Sequence, residues 1–219
     1  WDASGQRLDL IASHLVDMSP EGEDLGVVRV DDLSQWRTVE DWAQRRPYII
    51  GAAHAFTRRL FERFGPLLPH VSYEDQVNLL RALCGGGACT VDAALVRYRR
   101  GGVSDRMREF SGERYLAWVR RLNVIHVALH QQWLQDAARA GCLEVVQRSI
   151  EREYQRERFV AALLDAPGAV SRWRIALQSS PVDPGWRVRK CVYLAWPGLA
   201  AAIRAAQSAL RARRRGPGR

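Results

Sequence analysis

The stretch "HVSYEDQVNLLRAL", residues 70–83, places a Glu-Asp pair at the mouth of an apolar run with helical spacing. Ser72 followed three residues later by Asp75 has the form of a capping box, with Ser72 at the N-cap and Asp75 at N3. Val77, Leu80 and Leu83 or Cys84 then point inward, and Gly85-Gly86-Gly87 stops the helix. A carboxylate at a helix start has a second use, as a general base beside a cleft. Asp75 can serve as both, so the surrounding chain has to decide.

Upstream, "FTRRLFERFGP" (56–66) reads as a helix of about two turns. Thr57 caps it, Leu60, Phe61 and Phe64 form its apolar face, and Gly65 and Pro66 end it. Thr38 to Arg46 forms a short helix capped by Thr38 and stopped by Pro47. Tyr48-Ile49-Ile50 is strand-like, residues 1–11 hold a turn and a short apolar segment, and residues 16–37 read as loop. Downstream, "ACTVDAALVRYR" (88–99) favours one or two strands. Strand-like and helical pieces therefore alternate over the first hundred residues, the pattern of an α/β domain.

After residue 106 the character changes. Tyr115, Trp118, Val119, Leu122, Ile125, Leu129 and Trp133 recur every three or four residues, as on a long amphipathic helix. Leu143 to Leu164 continues in that manner, Pro167-Gly168 and Pro181 to Gly185 interrupt it, and Val188 to Leu210 is a last helical stretch broken near Pro197. The predicted organisation is an α/β segment 1–106, a basic helical region 107–210 and a disordered Arg-rich tail 211–219.

The chain of 219 residues carries a net charge of +9, and all but one of its 33 basic residues are Arg. Residues 1–105 hold 12 Arg against 15 acids, whereas residues 106–219 hold 20 Arg and Lys190 against nine. The basic half has three readings: packing on the α/β segment, docking on an anionic membrane surface, or binding nucleic acid or a protein partner. No DNA-reading unit is recognisable, so nucleic acid is not the expected partner. No apolar run approaches a membrane span of about 20 residues. Four cysteines without a Cys-x2-Cys pair are expected as free thiols in a reducing compartment. His126 and His130 lie four apart, but Val127 follows where a zinc protease needs Glu, so an ordinary helix face is expected.

Three pieces in order carry a resemblance: "GAAHAFTRRLFERFGPL" (51–67), "YEDQVNLLRALCGGG" (73–87) and "LVRYRRGGVSDR" (95–106). Together they resemble the second half of a family 2 nucleotide-sugar glycosyltransferase, an enzyme with the Rossmann-like GT-A fold. The resemblance covers roughly residues 1–106. It implies that Asp75 is the general base, that Glu74 shapes the site or contacts acceptor, and that Gly51, Ala52 and His54 lie along the acceptor. It implies that Arg97, Tyr98, Arg99, Gly101, Gly102 and Ser104 belong to a mobile loop over the donor diphosphate, where Arg suits phosphate oxygens. Its reaction is inverting transfer from a nucleotide diphosphate sugar to a glycan or lipid-linked acceptor, aided by Mg²⁺ or Mn²⁺. The family's Asp-x-Asp occurs nowhere in the chain, and Arg100-Gly101 stands where many members carry a His. The metal ligands are therefore expected outside this chain, which should be a partial GT-A domain lacking its nucleotide-binding half and inactive alone. The expected location is cytoplasmic, peripheral to the inner face of the cell membrane. The rival expectation is a non-catalytic binding protein that uses its basic helices.

Overall fold

The computed structural model describes residues 5, 7–101, 112–203 and 206. Its sheet is built around β1 (Leu10–Met18). β4 (Ala88–Arg99) runs parallel to β1 from Leu10 opposite Ala88 to Met18 opposite Arg99. Two short antiparallel strands share the other side. β3 (His54–Phe56) pairs with residues 10–12, and β2 (Asp24–Val28) pairs with residues 15–18. The fold is thus α/β with a small mixed sheet of four strands.

β1 and β2 lie partly inside the segment expected as loop. The alternation is hidden because β1 buries Ser13, His14 and Asp17 as well as Leu10, Ala12 and Leu15. Each buried polar group has a partner, such as the Val30 N–H on His14 Nδ1 and the Arg100 guanidinium on Asp17. Residues 48–50, expected as strand, pair with no strand among the described residues. Tyr48 exchanges its backbone hydrogen bonds with Asp31 instead.

The helices follow the sequence signals more closely. α1 (Val39–Gln44) begins with the reciprocal capping box of Thr38 and Asp41. α2 (Arg59–Phe64) ends at Gly65, whose φ of 73° needs a glycine. Arg58, not Thr57, is its N-cap; the Thr57 hydroxyl is drawn away to the Asp9 carboxylate. α3 (Glu74–Leu83) is buried on every side from Val77 to Leu83, including Asn78 and Arg81. α4 (Gly112–Ala140) and α5 (Leu143–Asp165) follow, then α6 (Ala169–Leu177) and α7 (Pro184–Ala195), with Pro184 in the first turn.

The chain divides into two compact units with a boundary after residue 106, but the later helical residues do not all fall in the second. Residues 128–151 belong with the α/β segment, while residues 107–127 and 152–219 form the second unit. Leu129, Trp133, Ala137, Val146 and Ile150 share one core with Leu10, Trp42, Phe64's neighbour Leu60, and Leu79 and Leu80. Periodicity marks an apolar face without saying which core it enters. The second core is helical and contains Tyr115, Val119, Phe159, Leu163, Ala176, Cys191 and Leu194. The Arg-rich tail lies outside the described residues.

Arg81 of α3 and Asp136 of α4, both without exposure, bind the first unit together. Arg81 Nε donates to Asp136 Oδ2 at 2.6 Å and Nη2 donates to Oδ1 at 3.1 Å; Nη1 donates to the Gly65 carbonyl at 3.0 Å. Burial pushes the Asp136 carboxyl up, and the Arg81 fork is foremost in opposing it. Asp136→Ala leaves a buried cation unpaired and should cost about 3–5 kcal/mol in denaturant unfolding. Replacing both partners by apolar residues of similar volume should cost much less.

Candidate functional site

The Glu-Asp pair meets Gly51 through two pieces of local geometry. β3 runs antiparallel to β1, with His54 opposite Ala12, so the 3-10 turn Gly51–Ala53 before it lies toward the carboxyl half of β1. The N-terminus of α3 comes to that turn. A Cβ built on Gly51 would lie 2.7 Å from Glu74 Oε1 and 3.8 Å from Asp75 Oδ2. Glycine is what lets the two carboxylates sit against the backbone.

The Ser72 capping box does not form. Tyr73, at φ −108° and ψ 59°, is the N-cap and makes no side-chain capping bond, which makes Asp75 the second helical residue. Its carboxylate accepts the Gln76 N–H at 2.7 Å and is held by the Gly51 N–H. Burial nevertheless raises the Asp75 carboxyl above its ordinary value, and Glu74 adds to this; the two N–H groups and the His54 ring oppose it. A helix start alone would lower it. Desolvation is the larger effect here, and a raised carboxyl is a better proton acceptor.

His54 and Asn78 complete the polar surroundings. His54 is half-buried, stacks on Phe56 at 5.4 Å, and neither ring nitrogen has a hydrogen-bond partner among the described residues. Asn78 lies one turn beyond Glu74 and Asp75 on the same side of α3. It is 1% exposed, and both amide atoms are unpartnered. This side of α3 and the start of β3 therefore hold more donors and acceptors than the described residues satisfy. Ala52 is exposed beside them.

The arginine group is placed differently from expectation. Arg97, Tyr98 and Arg99 are residues of β4 paired with Val16, Asp17 and Met18, not part of a loop. Arg97 forms an ion pair with Asp24, and Arg99 donates to the Pro20 carbonyl. Arg100 grips Asp17, with Nε 2.7 Å from Oδ2. Each guanidinium is engaged by the β1–β2 hairpin, and residues 96–99 pair one to one with residues 15–18 of β1, beyond the irregular register at Ser13–Leu15. Gly101 sits at φ 88° beside Pro20; Gly102 and Ser104 lie outside the described residues. Val16 is four residues along β1 from Ala12, about 13 Å of strand. Gly51, His54, Glu74 and Asp75 thus form one group, and Arg97–Arg100 form another.

Other polar clusters left no readable motif in the sequence. Asp9, buried before β1, accepts from the Thr57 hydroxyl, Arg59 Nε at 3.0 Å and the Gly86 N–H at 2.7 Å. With Arg59, Arg63, Arg81, Gly85 and Gly86 it lines a cleft of about 550 Å³. The Gly85-Gly86-Gly87 run was its one signal: a Cβ on Gly86 would meet the Arg7 carbonyl at 2.5 Å. His14 and Asp92 pair across β1 and β4 at 3.0 Å. In the second unit His126 pairs with Glu157 at 3.2 Å, and Asn123 donates to the same carboxylate at 2.7 Å. Among the described residues no cluster of three His, Cys, Asp or Glu side chains can hold a metal ion. No family model matches the chain, and no curated protein or solved structure matches it.

Two outcomes follow from the geometry at Gly51. A native carboxyl raised above its ordinary 3.8 takes up protons on folding, so ionising Asp75 lowers stability as pH rises through that range. Asp75→Asn should therefore raise the melting temperature at pH 7, with the gain fading below about pH 4. Gly51→Ala should fold, at a cost of about 1 kcal/mol, because the carboxylate it displaces ends a flexible side chain.

Proposed function

We propose that this chain is the acceptor-side part of a GT-A glycosyltransferase of the family 2 type, with a helical unit appended. The observation that carries the reading is the half-buried Asp75 carboxylate, held at a helix start against Gly51 with its proton affinity raised by burial. In the reaction the Asp75 carboxylate takes the proton of an acceptor hydroxyl. The acceptor oxygen bonds to the anomeric carbon from the face opposite the nucleoside diphosphate, whose bond to that carbon breaks, giving inversion. Glu74 and His54 orient the acceptor, whose hydroxyls supply partners for the free imidazole nitrogens. The acceptor class is a glycan or a lipid-linked glycan, and the donor a nucleotide diphosphate sugar.

Arg97, Arg99 and Arg100 contact donor phosphate in this reading only by exchanging their bonds to Asp24, Pro20 and Asp17. The Mg²⁺ or Mn²⁺ of the family finds no ligand set among the described residues, and no step is assigned to it. Among the described residues no helix is long and apolar enough to cross a membrane. Val188 on α7, Trp196 at its end and Leu199 beyond it are exposed beside Arg189, a composition suited to peripheral contact with anionic lipid.

Transfer assays of the full-length protein, with its donor-binding segment, test the chemistry. Asp75→Asn should lower turnover by about 10²–10⁴-fold with the fold retained, and near-normal turnover would end this reading. The 219 residues alone should show no transfer. In vesicle co-sedimentation, binding should grow with anionic lipid content and weaken in Trp196→Ala; binding indifferent to lipid charge would remove the membrane assignment.

A further inference from the structure

We infer that Cys84 and Cys142 form a redox-active thiol pair that closes to an intrachain disulfide. Their sulfurs lie 3.8 Å apart although the residues are 58 positions apart in the chain. Both sit in the first compact unit. Neither is fully buried, whereas Cys191 is.

Two helix stops bring the thiols together. Cys84 is the C-cap of α3, its N–H donating to the Leu80 carbonyl at 3.0 Å, and the Gly87 N–H closes the same turn on the Ala82 carbonyl at 2.8 Å. Cys142 follows Gly141, whose φ of 78° turns the chain out of α4, and its N–H returns to the Ala137 carbonyl at 3.0 Å. That is a Schellman-type ending, which leaves little freedom to the residue after the glycine. Both side chains also pack on the apolar core that includes Leu83, Ala137 and Val146. Two pinned backbones and a contact between sulfurs make the thiols neighbours by construction. Rotation about the side-chain bonds is the movement needed to reach the ~2.05 Å of a disulfide.

The oxidant is a small aliphatic disulfide. The Cys142 thiolate attacks one of its sulfurs, forms a mixed disulfide and expels one thiolate. Cys84 then attacks the Cys142 sulfur, forms the protein disulfide and expels the second thiolate. The two protein protons pass to the two leaving thiolates, so two electrons move from the protein to the small disulfide. Burial and the neighbouring Cys142 push the Cys84 thiol up, which suits Cys84 to the second step, where the sulfur it attacks is already held beside it. The product ties the end of α3, whose other end carries Glu74 and Asp75, to the α4–α5 turn.

The test incubates the full chain with oxidised glutathione at pH 8, alkylates the remaining thiols under denaturant, and maps the tryptic peptides without reduction. The expected result joins peptide 82–97 to peptide 140–148, with the alkyl group on Cys89 and on Cys191. Two of the four thiols are lost, dithiothreitol restores them, and the oxidised chain melts at a higher temperature than the reduced one. Cys142→Ser should abolish both the link and the rise in melting temperature. Alkylation of Cys84 and Cys142, a terminal glutathione adduct on either, or a link to Cys89 instead would overturn the inference; the wild-type map decides this even if the variant fails to fold.

Discussion

A guanidinium without access to water lies in the interior of the α/β unit. Arg81 is fixed there by the carboxylate of Asp136, by the Gly65 carbonyl and by the faces of Phe61 and Phe64. Desolvating both charges is expensive, so the pair specifies an arrangement more than it adds stability. α3 is held to α4, and the end of α2 is held to both. Gln132 extends the network by donating to Asp136 at 2.9 Å and accepting the Leu68 N–H at 2.6 Å. The N-terminus of α3 can then come to Gly51 because its far half has no freedom to rotate.

The chemistry of the candidate site follows from that fixed helix. A carboxylate at an exposed helix start is stabilised by the helix dipole and by free N–H groups. Asp75 has the N–H groups but sits half-buried beside a second carboxylate, and desolvation prevails. The helix start orients the side chain, while its surroundings set its proton affinity. Asp9 shows the contrary balance: its carboxyl is lowered because Thr57, Gly86 and Arg59 together outweigh its burial. Two aspartates in one unit thus have opposite tendencies, decided by how many donors reach each carboxylate.

The helical half is less of an appendage than its composition implies. Residues 128–151 complete the core of the α/β unit, through Trp133 edge-on to Trp42 at 5.0 Å, and provide Asp136. The remaining helical residues have a separate core, in which Arg172 donates to the Leu163 and Leu194 carbonyls and so satisfies helix ends from within.

Local signals were legible wherever a residue acts on its own neighbours. The sequence alone determined the cap at Thr38, the stop at Gly65, the extended character of residues 88–99 and the breaks at Pro167-Gly168 and from Pro181 to Gly185, because each is set by backbone geometry within a few residues; that 88–99 is one strand and not two was decided by its pairing with β1. The closeness of Gly51 to Glu74 and Asp75 was expected from resemblance, not from any local rule. Tertiary structure decided the rest. It turned buried His14 and Asp17 into strand residues by giving them distant partners, drew Thr57 from its helix to Asp9, and shifted the start of α3 past Ser72. It engaged Arg97, Arg99 and Arg100 with the β1–β2 hairpin, and it assigned half of each long helix to a different core. The physical reason is common to all of these: hydrogen bonds and burial between residues tens of positions apart outweigh local preferences of about a kilocalorie per mole, and a linear pattern does not state which distant groups will meet.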